Sequence, residues 1–455
     1  MIERSVKWVD ERVGTSGFLH DTLNKVFPDH WSFLFGEIAL YSFVVLVVTG
    51  IFLAFFFNPS LAHTVYTGPY KPLHGVQVSA AYNSALDLSF SVRAGLVMRQ
   101  THHWAADVFI AAIVIHLCRI FFTGAFRKPR EINWWIGLTL LLLALFNGFT
   151  GYSMVDDLLS GTGLRIAYSI ALSIPLIGTW MAFLVFGGEF PSDRIISRLF
   201  TTHVLIVPVA IAGLIGIHLA LVWRQKHTQY PGPGRTDRNV EGISFWPTYA
   251  TKSVALFFGI AAVLTGLGGL AQINPIWLYG PFRAANVTMP AQPDWYLGWT
   301  EGALRIFPNW EFRAGGFVIP NPFFPGVLMP GITFTLLFLW PYIDKRMHRD
   351  LEAHHLLERP RDRPGRTAMG AAALSFFVVL FLAGSDDLIA RWFTVPVDTM
   401  VWVFRIGCIV VPIVVGAVTH RLMSAYRRSG AQQFSKVPLA YFLNGKLVRA
   451  SGVQT

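Results

Sequence analysis

The sequence predicts an all-α integral membrane protein of eight transmembrane helices, with short surface helices in its extracytoplasmic loops, and three observations carry that prediction. Of 455 residues 53% are hydrophobic and only 14% charged, whereas soluble domains carry roughly 25% charged residues. The mean hydropathy is +0.48. Eight runs of near 20 apolar residues, the length that crosses the hydrocarbon core, lie at 38–57, 104–122, 134–152, 203–223, 253–271, 326–343, 368–384 and 399–419. Finally, basic residues segregate between alternate connections.

Taken in order, the chain opens with a mixed, partly amphipathic segment, 1–30 (Trp8, Val9, Val13, Phe18, Leu19, Leu23). No short apolar stretch with a small-residue cleavage site precedes the first run, so the mature chain is expected to start near Met1. Between the third and fourth runs a further apolar stretch, 166–187, is broken by Ser173, Pro175 and Gly178, and charge decides against its crossing. With eight spans, the segments 1–30, 118–133, 224–252, 345–366 and 421–455 share one side and hold 26 of the 37 Lys and Arg. The positive-inside rule then places both termini in the cytoplasm, and a ninth span would scramble the separation. The net charge of +11 accordingly reads as topology and contact with anionic head groups rather than nucleic-acid binding. Cys118 and Cys408 both lie in apolar runs and offer neither a disulfide framework nor a metal site. The connection 272–325, rich in Pro and Gly, is long enough to suggest a functional loop.

Chemistry enters with four histidines at matched spacing, His102 and His116 in the second run, His203 and His218 in the fourth. At about 100° per residue, intervals of fourteen and fifteen leave a phase near −40° and +60°, so each pair shares a helix face about 21 Å apart along the axis. Two such helices side by side present two facing imidazole pairs at two depths. An imidazole pair fills both axial positions of a haem iron, which suits electron transfer. Any one of these histidines alone reads equally well as an interhelical hydrogen-bond partner; four in register are harder to explain so, because ionisable groups at membrane depth are rare and usually functional. His103 falls about 140° from His116 and is the poorer ligand. Gly36 and Gly50, and Gly137 and Gly151, repeat at the same interval of fourteen, as expected where helices pack on the edges of two flat plates; close helix packing is the other reading. Arg99, Arg119 and Arg198 lie near the expected membrane edges, to pair with haem propionates or to snorkel.

These residues resemble a known family. Arg99-x-x-His102 followed by His116-x-x-Arg119, then Gly124 to Arg130 (G-x-x-R-K-P-R), Ile174 to Thr179 (I-P-x-I-G-T) and Pro293-Asp294-Trp295-Tyr296 are similar to the cytochrome b subunit of cytochrome bc complexes, whose Pro-Glu-Trp-Tyr motif carries Asp here. The likeness runs from about residue 20 to 420. Asp294, the fifteen-residue interval and Asp156 to Gly163 (D-D-L-L-S-G-T-G) look like the actinobacterial branch, which typically oxidises menaquinol. The resemblance implies a di-haem bundle over 31–224, a cytoplasmic linker 225–252, a four-helix domain 253–420 bearing the quinol-site loop, and a cytoplasmic tail 421–455. It implies quinol:cytochrome c oxidoreductase activity within a dimeric complex with Rieske iron–sulfur and cytochrome c subunits, and possible company of a terminal oxidase in a supercomplex. An outer, low-potential haem b on His102 and His203 and an inner, high-potential one on His116 and His218 would join two quinone sites. Asp294 suits the proton acceptor, since quinol cannot give up electrons without shedding protons, with Pro293, Trp295 and Tyr296 shaping the pocket.

Departures fall at both sites. After Gly151-Tyr152 the family usually has Pro, where this chain has Val155, Asp156 and Asp157. At the inner site Trp223 stands where many relatives have His, and Ser253 where they have Asp after Lys, leaving His227, Tyr249 and Lys252 as candidates. Two other readings are a di-haem anchor of another respiratory dehydrogenase or reductase, expected to have fewer spans and no such loop, and a haem-free transporter whose histidines relay protons.

Overall fold

The structure, a computed structural model, describes residues 8, 10–12, 14–286 and 292–429. Among them are eight helices long and apolar enough to span a membrane: Trp31–Ala54, Gly95–Phe122, Glu131–Ser153, Ile195–Gln225, Phe245–Leu270, Phe324–His348, Pro364–Ala383 and Val397–Arg428. Eight helices crossing would put the start of the first and the end of the last on the same side. The interrupted stretch after the third span folds instead as two shorter helices, Leu158–Leu172 and Gly178–Phe186. Pro175 cannot continue a helix, because it lacks the amide donor and crowds the preceding turn. The tail expected over 421–455 begins as the last turns of the eighth helix, and 430–455 lie outside the described residues.

Helices extend beyond their apolar runs where amphipathic or charged turns cap them. The second span starts at Gly95, two turns before His102, and the fourth starts at Ile195. Within the fourth, Thr202–Ile206 forms a π-turn. A π-turn accommodates one residue more than an α-turn, so fifteen residues from His203 to His218 span the rotation that fourteen span in the second helix. The unequal intervals thus give equal geometry.

Spans one to four form a bundle. Ala39, Phe109, Ile110, Ala112, Leu140, Leu141, Ala144, Val207 and Ile211 share one buried cluster, which Tyr296 from the long loop completes. Lipid tails are as apolar as leucine, so helices join here through close contact, and small residues such as Ala39, Ala112 and Ala144 let backbones approach. The fifth span packs on the first and second, with Val45, Ala105 and Leu264 buried between them. Spans seven and eight pair with each other. Outward positions such as Val209, Phe258, Val263, Ile409 and Ile413 are more than half exposed, a lipid-facing girdle rather than a defect.

The long loop has structure of its own. A short helix Ile276–Tyr279, a turn at Trp295–Leu297, a helix Gly298–Ile306 and a hairpin of Phe312–Ala314 with Phe317–Ile319 are described, and 287–291 lie outside the described residues. The helix Gly298–Ile306 docks on the seventh span, where Gly302 lies so near the Leu380 carbonyl that no side chain would fit. Two further strand pairs, Val26–Phe27 with Ile243–Ser244 and His63–Val65 with Gln77–Ser79, close loops without changing the all-α class.

Candidate functional site

The four histidines meet in two chambers within the bundle. The first, about 140 Å³, is lined by His102, His203, Gly50, Gly151, Arg99, His103, Tyr152, Asp294 and Tyr296 among others; the second, about 260 Å³, by His116, His218, Gly36, Gly137, Arg119, His227 and Tyr249 among others. In the first chamber the His102 and His203 rings lie with centroids 6.1 Å apart and their planes inclined by 68°. A metal–imidazole bond is about 2.0–2.1 Å and the ring centre lies about 1.1 Å behind the nitrogen, so two imidazoles on one metal ion put their centroids about 6.3 Å apart. The observed pair matches that span.

Hydrogen bonds aim the rings. Nδ1 of His203 donates to the Asn147 carbonyl at 2.9 Å; a carbonyl accepts only from N–H, so the proton sits on Nδ1 and the Nε2 lone pair is free. His102 Nδ1 lies 2.9 Å from Thr49 Oγ1. Such outer contacts fix tautomer and orientation in metal-bound histidines. Nε of Arg99 and of Arg119 is buried without a partner, while other nitrogens of the two donate to the Asn274 carbonyl and to Thr228 Oγ1, so each guanidinium keeps a donor for an anionic group. The residues present therefore fit a haem in each chamber.

The glycines lie against the imidazoles. A Cβ on Gly36 would lie 3.3 Å from His116 Cε1, on Gly50 3.2 Å from His102 Cε1, on Gly137 3.7 Å from His218 Cε1 and on Gly151 2.5 Å from His203 Cε1. Gly36, Gly50 and Gly151 each make room for an imidazole, while a side chain at Gly137 would make only an ordinary contact with His218.

Two cations depart from expectation. Arg198 does not line the first chamber; it is exposed, and its guanidinium donates to the Leu184 carbonyl at 2.6 Å. Five residues before His203 is about 140° around the helix, which turns it away. Lys252 likewise lies off the second chamber, paired with Asp29 at 2.7 Å on the surface. His227 does line that chamber; burial first, then Lys25, Arg130 and Arg119, hold its pKa down to about 4, so it is neutral at physiological pH.

Asp294 reaches the wall of the first chamber from the loop. Its Oδ2 accepts from the Tyr296 hydroxyl at 2.9 Å, and its Oδ1 lies 2.8 Å from His103 Nε2. Tyr296 is buried against Gly148 of the third span, where any side chain would strike its hydroxyl. Trp295 is exposed beside it, and Pro293 lies just before the turn. Sequence reasoning gave His103 no role; its face, turned from His116, is the one the loop approaches. It also passed over Asp107, one turn further along with a buried, unpartnered carboxylate oxygen, although an acid inside an apolar run was a usable signal.

Fold and site together define a polytopic membrane protein with two stacked imidazole-faced chambers and a carboxylate at the mouth of one. A family profile described as Cytochrome b(N-terminal)/b6/petB matches residues 107–281. The chain is 53% identical over 430 residues to the cytochrome bc1 complex cytochrome b subunit of Mycobacterium bovis, covering 94% of this chain and 78% of that protein. It is 44% identical over 426 residues to the subunit of the same name from Streptomyces coelicolor, at 94% and 78% coverage. A solved chain of a hyperthermophilic respiratory Complex III shares the fold, with a TM-score of 0.68 at 21% identity, over 91% of this chain and 99% of that one. The chain belongs to the cytochrome b subunits of cytochrome bc1 complexes, haem-bearing, multi-pass membrane subunits of quinol:cytochrome c oxidoreductase.

Proposed function

We propose that this chain carries electrons between two quinone sites on opposite faces of the bilayer, holding one haem b between His102 and His203 and a second between His116 and His218. The observation that carries this reading is the meeting of four imidazoles as two pairs, each in its own chamber. The distribution of Lys and Arg supports placing both termini in the cytoplasm, which makes the Asp294 chamber the outer, low-potential site and the other the inner, high-potential one. Haem b, when bound by these histidines, would take up and release one electron at a time. Arg99 and Arg119 are placed to hold its propionates.

At the outer site the substrate is menaquinol. Asp294 accepts a hydroxyl proton, Tyr296 and His103 hold that carboxylate in place, and Trp295 and Pro293 set the loop. One electron leaves to a Rieske iron–sulfur subunit and on to a cytochrome c subunit; the other crosses to the inner side, where His227 and Tyr249 line the quinone-reducing chamber. Charge thereby crosses the membrane. The chain divides into the haem bundle 31–224 and the C-terminal four-helix domain 253–420, joined by 225–252. It works in a dimeric complex, with room for a terminal oxidase alongside.

A pyridine haemochrome assay on the purified complex tests this reading, with two haems b expected per chain. Replacing His218 with Ala should remove the inner haem alone. A count of one or none in the unaltered complex, or loss of both from a folded His218→Ala complex, overturns the assignment.

A further inference from the structure

The inner chamber has a carboxylate that no part of the reading above uses. Glu37, on the first turns of the first span, lines the chamber together with Tyr249 and His227. Both of its oxygens are engaged by hydroxyl donors from the fifth span: Tyr249 Oη donates to Oε1 at 2.6 Å and Ser253 Oγ to Oε2 at 2.5 Å. Tyr41, one turn along from Glu37, makes a short hydrogen bond to Ser253 in turn. No Lys, Arg or His is among these partners, so the network is built of hydroxyls around a single acid. Ser253 would otherwise be a weak substitute for an acid at this place, since a hydroxyl does not release its proton at neutral pH. Here it and Tyr249 hand their hydrogen bonds to a carboxylate from another helix.

We propose that Glu37 is the proton donor of the inner quinone site, with Tyr249 as the hydroxyl that joins it to the bound quinone. The inference rests on the inner-site reading given under Proposed function. Reducing a quinone to quinol takes two electrons and two protons. The two electrons come one from each of two quinol oxidations at the outer site; each of the two protons passes in turn from the Glu37 carboxyl by way of the Tyr249 hydroxyl to a quinone oxygen, and the cytoplasm returns a proton to the carboxylate after each transfer. The cytoplasmic side is near, since Lys252, adjacent to Ser253, pairs with Asp29 at the exposed surface. With hydroxyls on both oxygens and no Lys, Arg or His among its hydrogen-bond partners, the Glu37 carboxyl is placed to pass a proton on and take one up.

The test uses Glu37→Gln, Glu37→Asp and Tyr249→Phe in the complete complex in native membranes, reading the rate at which reduced b haems are reoxidised by quinone and their reduction level during turnover. A positioned acid contributes about 10²–10⁴-fold. Glu37→Gln is expected to slow reoxidation by about 100-fold or more and leave the b haems reduced in steady state, with two haems per chain and unchanged reduction through the outer site. Glu37→Asp should restore most of the rate with a displaced pH profile, and Tyr249→Phe should slow it less. Wild-type reoxidation in Glu37→Gln overturns the proposal. Should Glu37→Gln fail to assemble, normal reoxidation and an unmoved pH profile in both remaining variants overturn it equally. If the unaltered complex itself shows no quinone-dependent reoxidation of b haems at this side, the inner-site reading falls instead.

Discussion

Replacing Gly151 with Ala is the sharpest probe of the haem ligation proposed for His102 and His203. The new Cβ would sit 2.5 Å from His203 Cε1 and 3.1 Å from its Nδ1, whereas carbon atoms in contact rest about 3.5–4.0 Å apart. The ring or the third span must retreat by about 1 Å. Overpacking of that size typically costs about 1–3 kcal/mol, which a large helical membrane protein survives. A metal bond to His203, as proposed, would not, because metal–ligand distances hold to about 0.2 Å, and the same retreat breaks the 2.9 Å bond from His203 Nδ1 to the Asn147 carbonyl. Gly137→Ala is the matched control, since its Cβ would lie 3.7 Å from His218 Cε1, an ordinary contact. Haem counting by pyridine haemochrome, with reduced-minus-oxidised spectra, should give one haem per chain for Gly151→Ala, the inner one, and two for Gly137→Ala. Gly36→Ala and Gly50→Ala, at 3.3 and 3.2 Å, should keep both with a disturbed band. Two haems with an unshifted spectrum in Gly151→Ala would refute the reasoning, as would loss of a haem from Gly137→Ala alone.

Two other perturbations reach different parts of the chain. Asp294→Asn should slow haem b reduction by quinol about 10²–10⁴-fold while haem content stays at two, measured by stopped-flow absorbance with the inner site blocked; an unchanged rate removes Asp294 from the chemistry. Asp156, beyond the third span, has its pKa raised by burial from 3.8 to about 7, against a Ser79 hydrogen bond that lowers it. The folded chain therefore keeps this proton between about pH 4 and 7 where the unfolded chain has lost it, so stability is highest at the acid end and falls as pH rises through 7. At about 1.4 kcal/mol per unit, up to about 4 kcal/mol is withdrawn by pH 8. Asp156→Asn should raise the thermal midpoint of the complex at pH 8 and leave it unchanged near pH 4, and a difference independent of pH would contradict this origin.

Span number, the crossing helices that bear the histidines, and the rejection of a ninth span were all legible from residue order, because lipid makes strong demands on a single chain. Apolar length, charge asymmetry and helical phase are local or periodic properties, and each is written along one strand of text. Phase likewise separated His102, which meets His203, from His103, which turns to Asp294, although what each glycine faces was not legible. Arg198 was misplaced because nearness in sequence was taken without its angle, and Lys252 because a lysine at a membrane edge has a choice of partners.

What required the tertiary structure is every contact between elements that phase does not relate. The π-turn at Thr202–Ile206, which reconciles fifteen residues with fourteen, leaves no mark in composition. Asp294 meets His103 across 191 positions of chain, and Glu37 meets Ser253 across 216. Helix periodicity says which way a side chain points, but the partner on the other side is set by how a loop folds back and how helices of near-uniform apolar surface choose neighbours. In lipid that choice is made by close packing and by polar groups seeking one another, and both depend on all the helices at once.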